Sequence, residues 1–150
     1  ALSTIIFGIV LYYADIQNDK KTKTVDELKI GESFIIGLFQ VLAIIPGTSR
    51  SGIVYSGCRF LNISRIEALR FAMLLSIPSI LLSAFIPTYK FIKSPSSEFL
   101  LMGIVGLIVS FGTAYLSISL LMSWVKKFSM VPFVVYRIIL GSVLLIYSIV

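Results

Sequence analysis

The 150-residue chain has no histidine, a single cysteine (Cys58), one tryptophan and only seven acidic residues. The absence of histidine and the lone cysteine exclude a disulfide framework and an ordinary Cys/His metal site, so a bound metal would have to use oxygen ligands. Charged residues make up 13% of the chain, against 57% hydrophobic residues and a mean hydropathy of +1.00. Because the apolar residues form long runs separated by short polar clusters, the class is that of an integral membrane protein rather than a soluble core. A net charge of +6 would suggest nucleic acid in a soluble domain. Here Lys and Arg lie beside apolar runs, where they set orientation in a bilayer, and nucleic acid is set aside as a partner.

The first residue is Ala, and the opening apolar run, residues 2–14, is shorter than the ~20 residues needed to cross hydrocarbon. No basic segment precedes it and no small-residue cleavage site stands before Asp15, so it reads as the end of a transmembrane helix rather than a signal peptide. The chain is accordingly expected to be part of a longer protein. Residues 15–29 read as a solvated loop, its end a short interfacial helix. Residues 66–89, with Pro78 as an expected kink, 99–125 and 131–150 are each long enough to span. Gly103, Gly106, Ser110 and Gly112 suit close helix packing in lipid. Tyr12, Tyr13, Trp124 and Tyr147 read as interfacial aromatics, and Arg59 and Arg65 as side chains reaching lipid headgroups. A cytoplasmic loop 15–31 would put eight basic residues inside, with Lys90 and Lys93 outside.

The segment "LAIIPGTSRSGIVY", residues 42–55, breaks the apolar pattern with Pro46, Gly47, three hydroxyl residues, Arg50 and Gly52. Residues 33–45 would extend about 20 Å as a helix, short of the ~30 Å hydrocarbon thickness, and residues 53–61 are shorter still. The two pieces are expected to form a re-entrant hairpin, residues 33–61, with its tip at 46–52 near membrane mid-depth. Irregular backbone is tolerated there only when buried in protein or lining a wet cavity. Gly47 and Gly52 permit tight turns, Thr48, Ser49 and Ser51 offer hydroxyls, and the second arm adds a helix N-terminus, all favourable to an anion. Arg50 adds a planar fork suited to phosphate, and a charge at this depth costs at least ~2.5 kcal/mol on insertion scales, which marks it as functional. The rival reading is a structural turn with Arg50 paired to a distant carboxylate. A Walker loop is excluded, since Ile53 and Val54 stand where Lys and Ser/Thr would be needed.

Three blocks, "QVLAIIPGTSRSG" (40–52), "RIEALRFAMLLSIPSI" (65–80) and "VPFVVYRIILG" (131–141), closely resemble in order and spacing the C-terminal half of the undecaprenyl-diphosphate phosphatases, the bacitracin-resistance family. The resemblance implies an all-α integral membrane protein in which residues 1–150 form a single membrane domain, one half of an inverted-repeat architecture whose N-terminal repeat is missing. It further implies a multi-pass enzyme of the bacterial inner membrane that removes the terminal phosphate of the polyprenyl diphosphate lipid carrier. Ser49 and Arg50 match the Ser and Arg that the family assigns to the diphosphate site, with Gly47, Thr48, Ser51 and Gly52 as its surroundings. Gln40 sits where the other repeat would place a carboxylate, and a Gln tying two helices together is the rival. Arg70 matches the family's "RF" and either faces the chamber or pairs with Glu67. Arg137 either snorkels or pairs, or else lines the substrate path.

Two departures matter. Val54 stands where the family carries Thr, and the Glu-rich and Ser-Ser-x-Gly-His segments of the first repeat are not in this sequence. A divalent cation, Mg or Ca, is implied by the resemblance, with ligands outside this chain. The alternative function is a polyprenyl-phosphate transporter or flippase with an anion-binding re-entrant loop. A homodimer is left open.

Overall fold

A computed structural model describes residues 1–17, 22–93 and 97–149. Lys20 and Lys21, which the charge-bias argument counts, lie outside the described residues. The chain is helical: α1 (Leu2–Asp15), α2 (Ile30–Val41), α3 (Arg50–Phe60), α4 (Arg65–Lys93), α5 (Ser97–Val125) and α6 (Val131–Ile149). Two 3₁₀ turns, Val25–Glu27 and Leu42–Ile44, precede and follow α2.

Among the described residues three helical segments are long and apolar enough to cross a bilayer: Arg65–Tyr89, Met102–Val125 and Val131–Ser148. They match the expected spans to within a few residues. Helix α4 runs through Pro78 and Pro87, each of which removes one backbone donor from the ladder. Large apolar side chains along α4 and α5, among them Leu82, Phe85, Leu107 and Phe111, are exposed, as a lipid-facing surface requires.

The core gathers on α3, whose residues from Ile53 to Arg59 are all buried. Helix α2 folds back along α3, and the contact is close because residue 57 has no side chain: a methyl on Gly57 would come within 2.9 Å of the Phe39 ring. The two ends of this helical hairpin are tied by backbone hydrogen bonds from Lys23 N–H to Asn62 O (2.8 Å) and from Ser64 N–H to Lys23 O (3.3 Å). Lys23 Nζ also bonds Glu32 Oε1 at 2.9 Å. That bond, together with the Lys29 N–H, holds the Glu32 carboxyl below its ordinary range.

Asp15 overturns the expectation that the solvated loop begins with it. It is the last residue of α1 and fully buried, accepting from Tyr55 OH (2.6 Å) and from the Met130 backbone N–H (2.9 Å), and pairing with Arg65 Nε (3.1 Å). Arg59 and Arg65 do not reach outward to headgroups. Arg59 is 1% exposed and donates to the carbonyls of Ile63 and Gln17, while Arg65 donates to the carbonyl of Asp15. One buried carboxylate and two guanidiniums thus join the ends of α1, α3, α4 and α6. The physical reason is that a charge within an apolar chain is stabilised more by a partner and carbonyls inside the protein than by its sequence neighbours.

Candidate functional site

The irregular backbone between the arms is shorter than expected. Helix α3 begins at Arg50, so Arg50, Ser51 and Gly52 form its first turn rather than a loop, and only residues 45–49 are irregular. Ser49 is the reason: its Oγ accepts from the Gly52 N–H at 3.3 Å as an N-cap, in a backbone with φ of 68°. Gly47 has φ of 91°, a conformation that a side chain would strain. A methyl at Gly47 would also sit 2.6 Å from Thr4 Oγ1, so α1 closes directly over the tip.

Two neighbours hold this turn. Ser3 Oγ of α1 donates to the Pro46 carbonyl at 2.5 Å, and Arg137 Nη2 of α6 donates to the Gly47 carbonyl at 2.6 Å. Arg137 is 9% exposed, lies against Gly8 of α1, and among the described residues its Nε has no hydrogen-bond partner. It does not snorkel, and among the described residues it pairs with no carboxylate.

The tip separates the expected site residues onto two faces. On one, a cavity of about 400 Å³ is lined by Arg50, Gln40, Ser79, Gly37 and their apolar neighbours. Gln40 Nε2 donates to Ser79 Oγ at 2.7 Å, tying α2 to α4, and its buried Oε1 has no partner among the described residues. On the other face, a cavity of about 360 Å³ is lined by Ser49, Ser51, Gly52, Tyr55, Tyr136 and Arg137 together with apolar side chains. The face carrying Arg50 therefore differs from the face carrying the two serines.

Thr48 is buried, and lines neither cavity. Arg70 is exposed, 3.8 Å from Glu67, and also lines neither. Among the described residues no three His, Cys, Asp or Glu side chains come together. The lining residue that sequence reasoning missed is Tyr136, whereas Tyr55, with Ser56, stood as a source of the hydroxyl that Val54 lacks. Arg137 stood among the candidates, with no indication that it would reach a carbonyl 90 positions away. Tyr136 carries only the signal of adjoining Arg137 in the sequence.

Chemically, the first turn of an 11-residue helix, an arginine on either side and the hydroxyls of Ser49 and Ser51 favour an anion. Among the described residues no carboxylate lines either cavity.

The undecaprenyl-diphosphatase of Campylobacter concisus is 42% identical over 145 residues, covering 97% of this chain and 54% of that protein. That of Campylobacter curvus is 45% identical over 145 residues, with the same coverage of 97% and 54%. The undecaprenyl-diphosphatase of Alteromonas mediterranea is 42% identical over 143 residues, 95% of this chain and 53% of that protein. The chain thus spans about half the length of these relatives. The family model described as "Bacitracin resistance protein BacA" matches residues 1–143, nearly the whole sequence. The chain belongs to the bacitracin resistance protein BacA family.

Proposed function

We propose that this chain supplies the diphosphate-binding half of an undecaprenyl-diphosphate phosphatase, which hydrolyses the terminal phosphate of the carrier lipid so that it can be reused in cell-wall synthesis. The reading rests on the name its relatives carry and, above all, on where the tip sits. Thr4, which meets Gly47, lies eleven residues up α1 from Asp15, about 16 Å by helical rise. Arg137 lies seven residues beyond Met130, whose N–H binds Asp15, about 10 Å into α6. If the Asp15 end of the bundle marks the membrane surface, the tip lies near the middle of a ~30 Å hydrocarbon layer, as a re-entrant hairpin over residues 33–61 requires.

In this reading the bacterial inner membrane holds residues 1–150 as one membrane domain, the C-terminal half of an inverted-repeat enzyme. Hydrolysis breaks the bridging P–O bond, releasing orthophosphate and leaving the lipid monophosphate. The Arg50 guanidinium clamps the diphosphate and stabilises charge gathering on its oxygens. The α3 N-terminus adds donors, Ser49 and Ser51 add theirs from the opposite face of the tip, and the left-handed turn at Gly47 lets the backbone come close. Gln40 positions the Arg50 face through its bond to Ser79. Nucleophile, base and the ligands of any divalent cation would come from the other half, so this chain alone binds better than it cleaves.

The test is phosphate release by the longer protein that contains this chain. Arg50→Lys keeps the charge but loses the two-pronged fork, and should lower the rate at least tenfold, about 1.4 kcal/mol, while the protein still folds. Near-normal turnover would make Arg50 a point charge. Lipid movement across vesicles without any phosphate release would point to a transporter instead.

A further inference from the structure

The turn between α5 and α6, residues 126–130, carries two adjacent cations, Lys126 and Lys127, both exposed. It joins two helical segments each long enough to cross a bilayer, Met102–Val125 and Val131–Ser148, so in a membrane it falls where hydrocarbon gives way to headgroups. Residues 99–150 hold no Asp or Glu. Among the described residues neither lysine has an ion-pair partner. Asp15, which meets the far end of the turn through the Met130 N–H, is fully buried and already paired with Arg65. The described residues therefore bring these two ammonium groups no anion.

The aromatic side chains beside the lysines are held in place. Trp124 and Phe128 have ring centroids 4.8 Å apart, and Trp124 Nε1 donates across the turn to the Ser129 carbonyl at 3.3 Å. The Trp124 carbonyl accepts from the Lys127 and Phe128 N–H groups at 3.0 and 2.8 Å, which closes the end of α5. Both rings remain exposed. Lysines that only oriented the chain would need charge and nothing more. Here a braced aromatic pair adjoins the two charges, and an apolar surface beside a cationic rim matches a molecule with an anionic head and acyl chains.

We infer that the α5–α6 turn is a site for an anionic bilayer phospholipid, its phosphodiester headgroup held by Lys126 and Lys127 and the upper part of an acyl chain lying on Trp124 and Phe128. The contact of Arg137 with the hairpin tip lies about 10 Å further along α6 by helical rise, so this site is separate from the one proposed for the diphosphate. Two lysines at a membrane surface should enrich a singly charged headgroup about tenfold over a neutral one.

The experiment is fluorescence quenching in the longer protein that contains this chain, reconstituted in phosphatidylcholine vesicles with a small fraction of a brominated lipid in both leaflets. Subtracting the emission of the Trp124→Phe variant isolates the signal of residue 124. Brominated phosphatidylglycerol should quench that signal as strongly as about ten times the fraction of brominated phosphatidylcholine. Lys126→Gln combined with Lys127→Gln should remove the preference and leave quenching by brominated phosphatidylcholine unchanged, because the ring stays in the bilayer. Lys126→Arg combined with Lys127→Arg should keep the preference. Inorganic phosphate, compared with chloride at equal ionic strength, should not reduce it. Equal quenching by the two lipids in the wild type overturns the proposal, as does a preference that survives the two glutamines. A preference that inorganic phosphate abolishes overturns it too, since the ligand would then be a free anion rather than a headgroup.

Discussion

Replacing Asp15 by alanine tests the buried node on which the packing of four helices depends. The carboxylate takes three donors, Tyr55 OH at 2.6 Å, Met130 N–H at 2.9 Å and Arg65 Nε at 3.1 Å. Removing one partner of a buried ion pair costs about 3–5 kcal/mol, because the remaining charge loses both its partner and its water. The Arg65 side chain keeps 30% exposure, so water recovers part of that loss and the pair belongs at the low end of the range. Tyr55 and the Met130 N–H, both buried, each lose an acceptor worth about 1–3 kcal/mol, partly the same energy counted from the other side. The expected destabilisation is about 3–5 kcal/mol, which at roughly 2–4 °C per kcal/mol lowers the melting temperature by about 10 °C. Asp15→Asn retains one acceptor and should lose about half as much. Thermal unfolding followed by circular dichroism in detergent micelles measures both. A fall of less than about 3 °C for Asp15→Ala would mean that the residue sits in water at the start of a loop, and the node would not exist.

Ser49→Ala removes the α3 cap while keeping the unfavourable φ of 68°, and should cost about 0.5–2 kcal/mol, whereas Ser49→Gly relieves the backbone and should be close to neutral in the same melt. In phosphate-release assays on the longer protein both should reduce turnover tenfold to about a hundredfold; a phosphoserine trapped at residue 49 would instead make it the nucleophile. Glu32 is held below its ordinary value of 4.5 by Lys23 and the Lys29 N–H, so its contribution to the hairpin base is present above about pH 4.5 and is lost as pH falls through the lowered value. Amide exchange at Lys23 and Ser64, corrected for intrinsic rates, should accelerate through that window in the wild type and show no step in Glu32→Gln. Cysteines placed at Thr22 and Lys127 should be labelled from one side of the membrane and a cysteine at Lys93 from the other; labelling of Thr22 and Lys93 from the same side refutes the arrangement of spans.

The spans were legible because length and hydropathy decide them, and α4, α5 and α6 begin and end within a few residues of the apolar limits. Arg50 stands out as a candidate because a cation interrupting an apolar run is conspicuous without any partner being known. The start of α3 was not, since Gly52 inside a hydroxyl-rich stretch looks like loop until the Ser49 cap is seen to begin the helix before it. Asp15 was assigned to the loop by the polar residues following it, while its partners lie 40, 50 and 115 positions away. Arg59 and Arg65 were assigned to headgroups for the same reason, and the burial of Arg59 leaves a smaller surface charge bias than the sequence suggests. The separation of Arg50 from Ser49 and Ser51 follows from helical geometry, which could be applied only once residue 50 was known to be helical.

The carbonyls on either side of the turn, at Pro46 and Gly47, are fixed to α1 and α6 rather than to the hairpin's own arms. Its base is fixed independently by the Lys23 and Asn62 backbone. Anchored at both ends, the hairpin has little freedom left to lose, so under the proposed function an arriving anion would meet donors already aimed and order almost no backbone in binding. The corollary is kinetic: capture should be governed by how quickly the ligand finds the chamber, and any movement that opens or closes the tip must carry α1 and α6 with it.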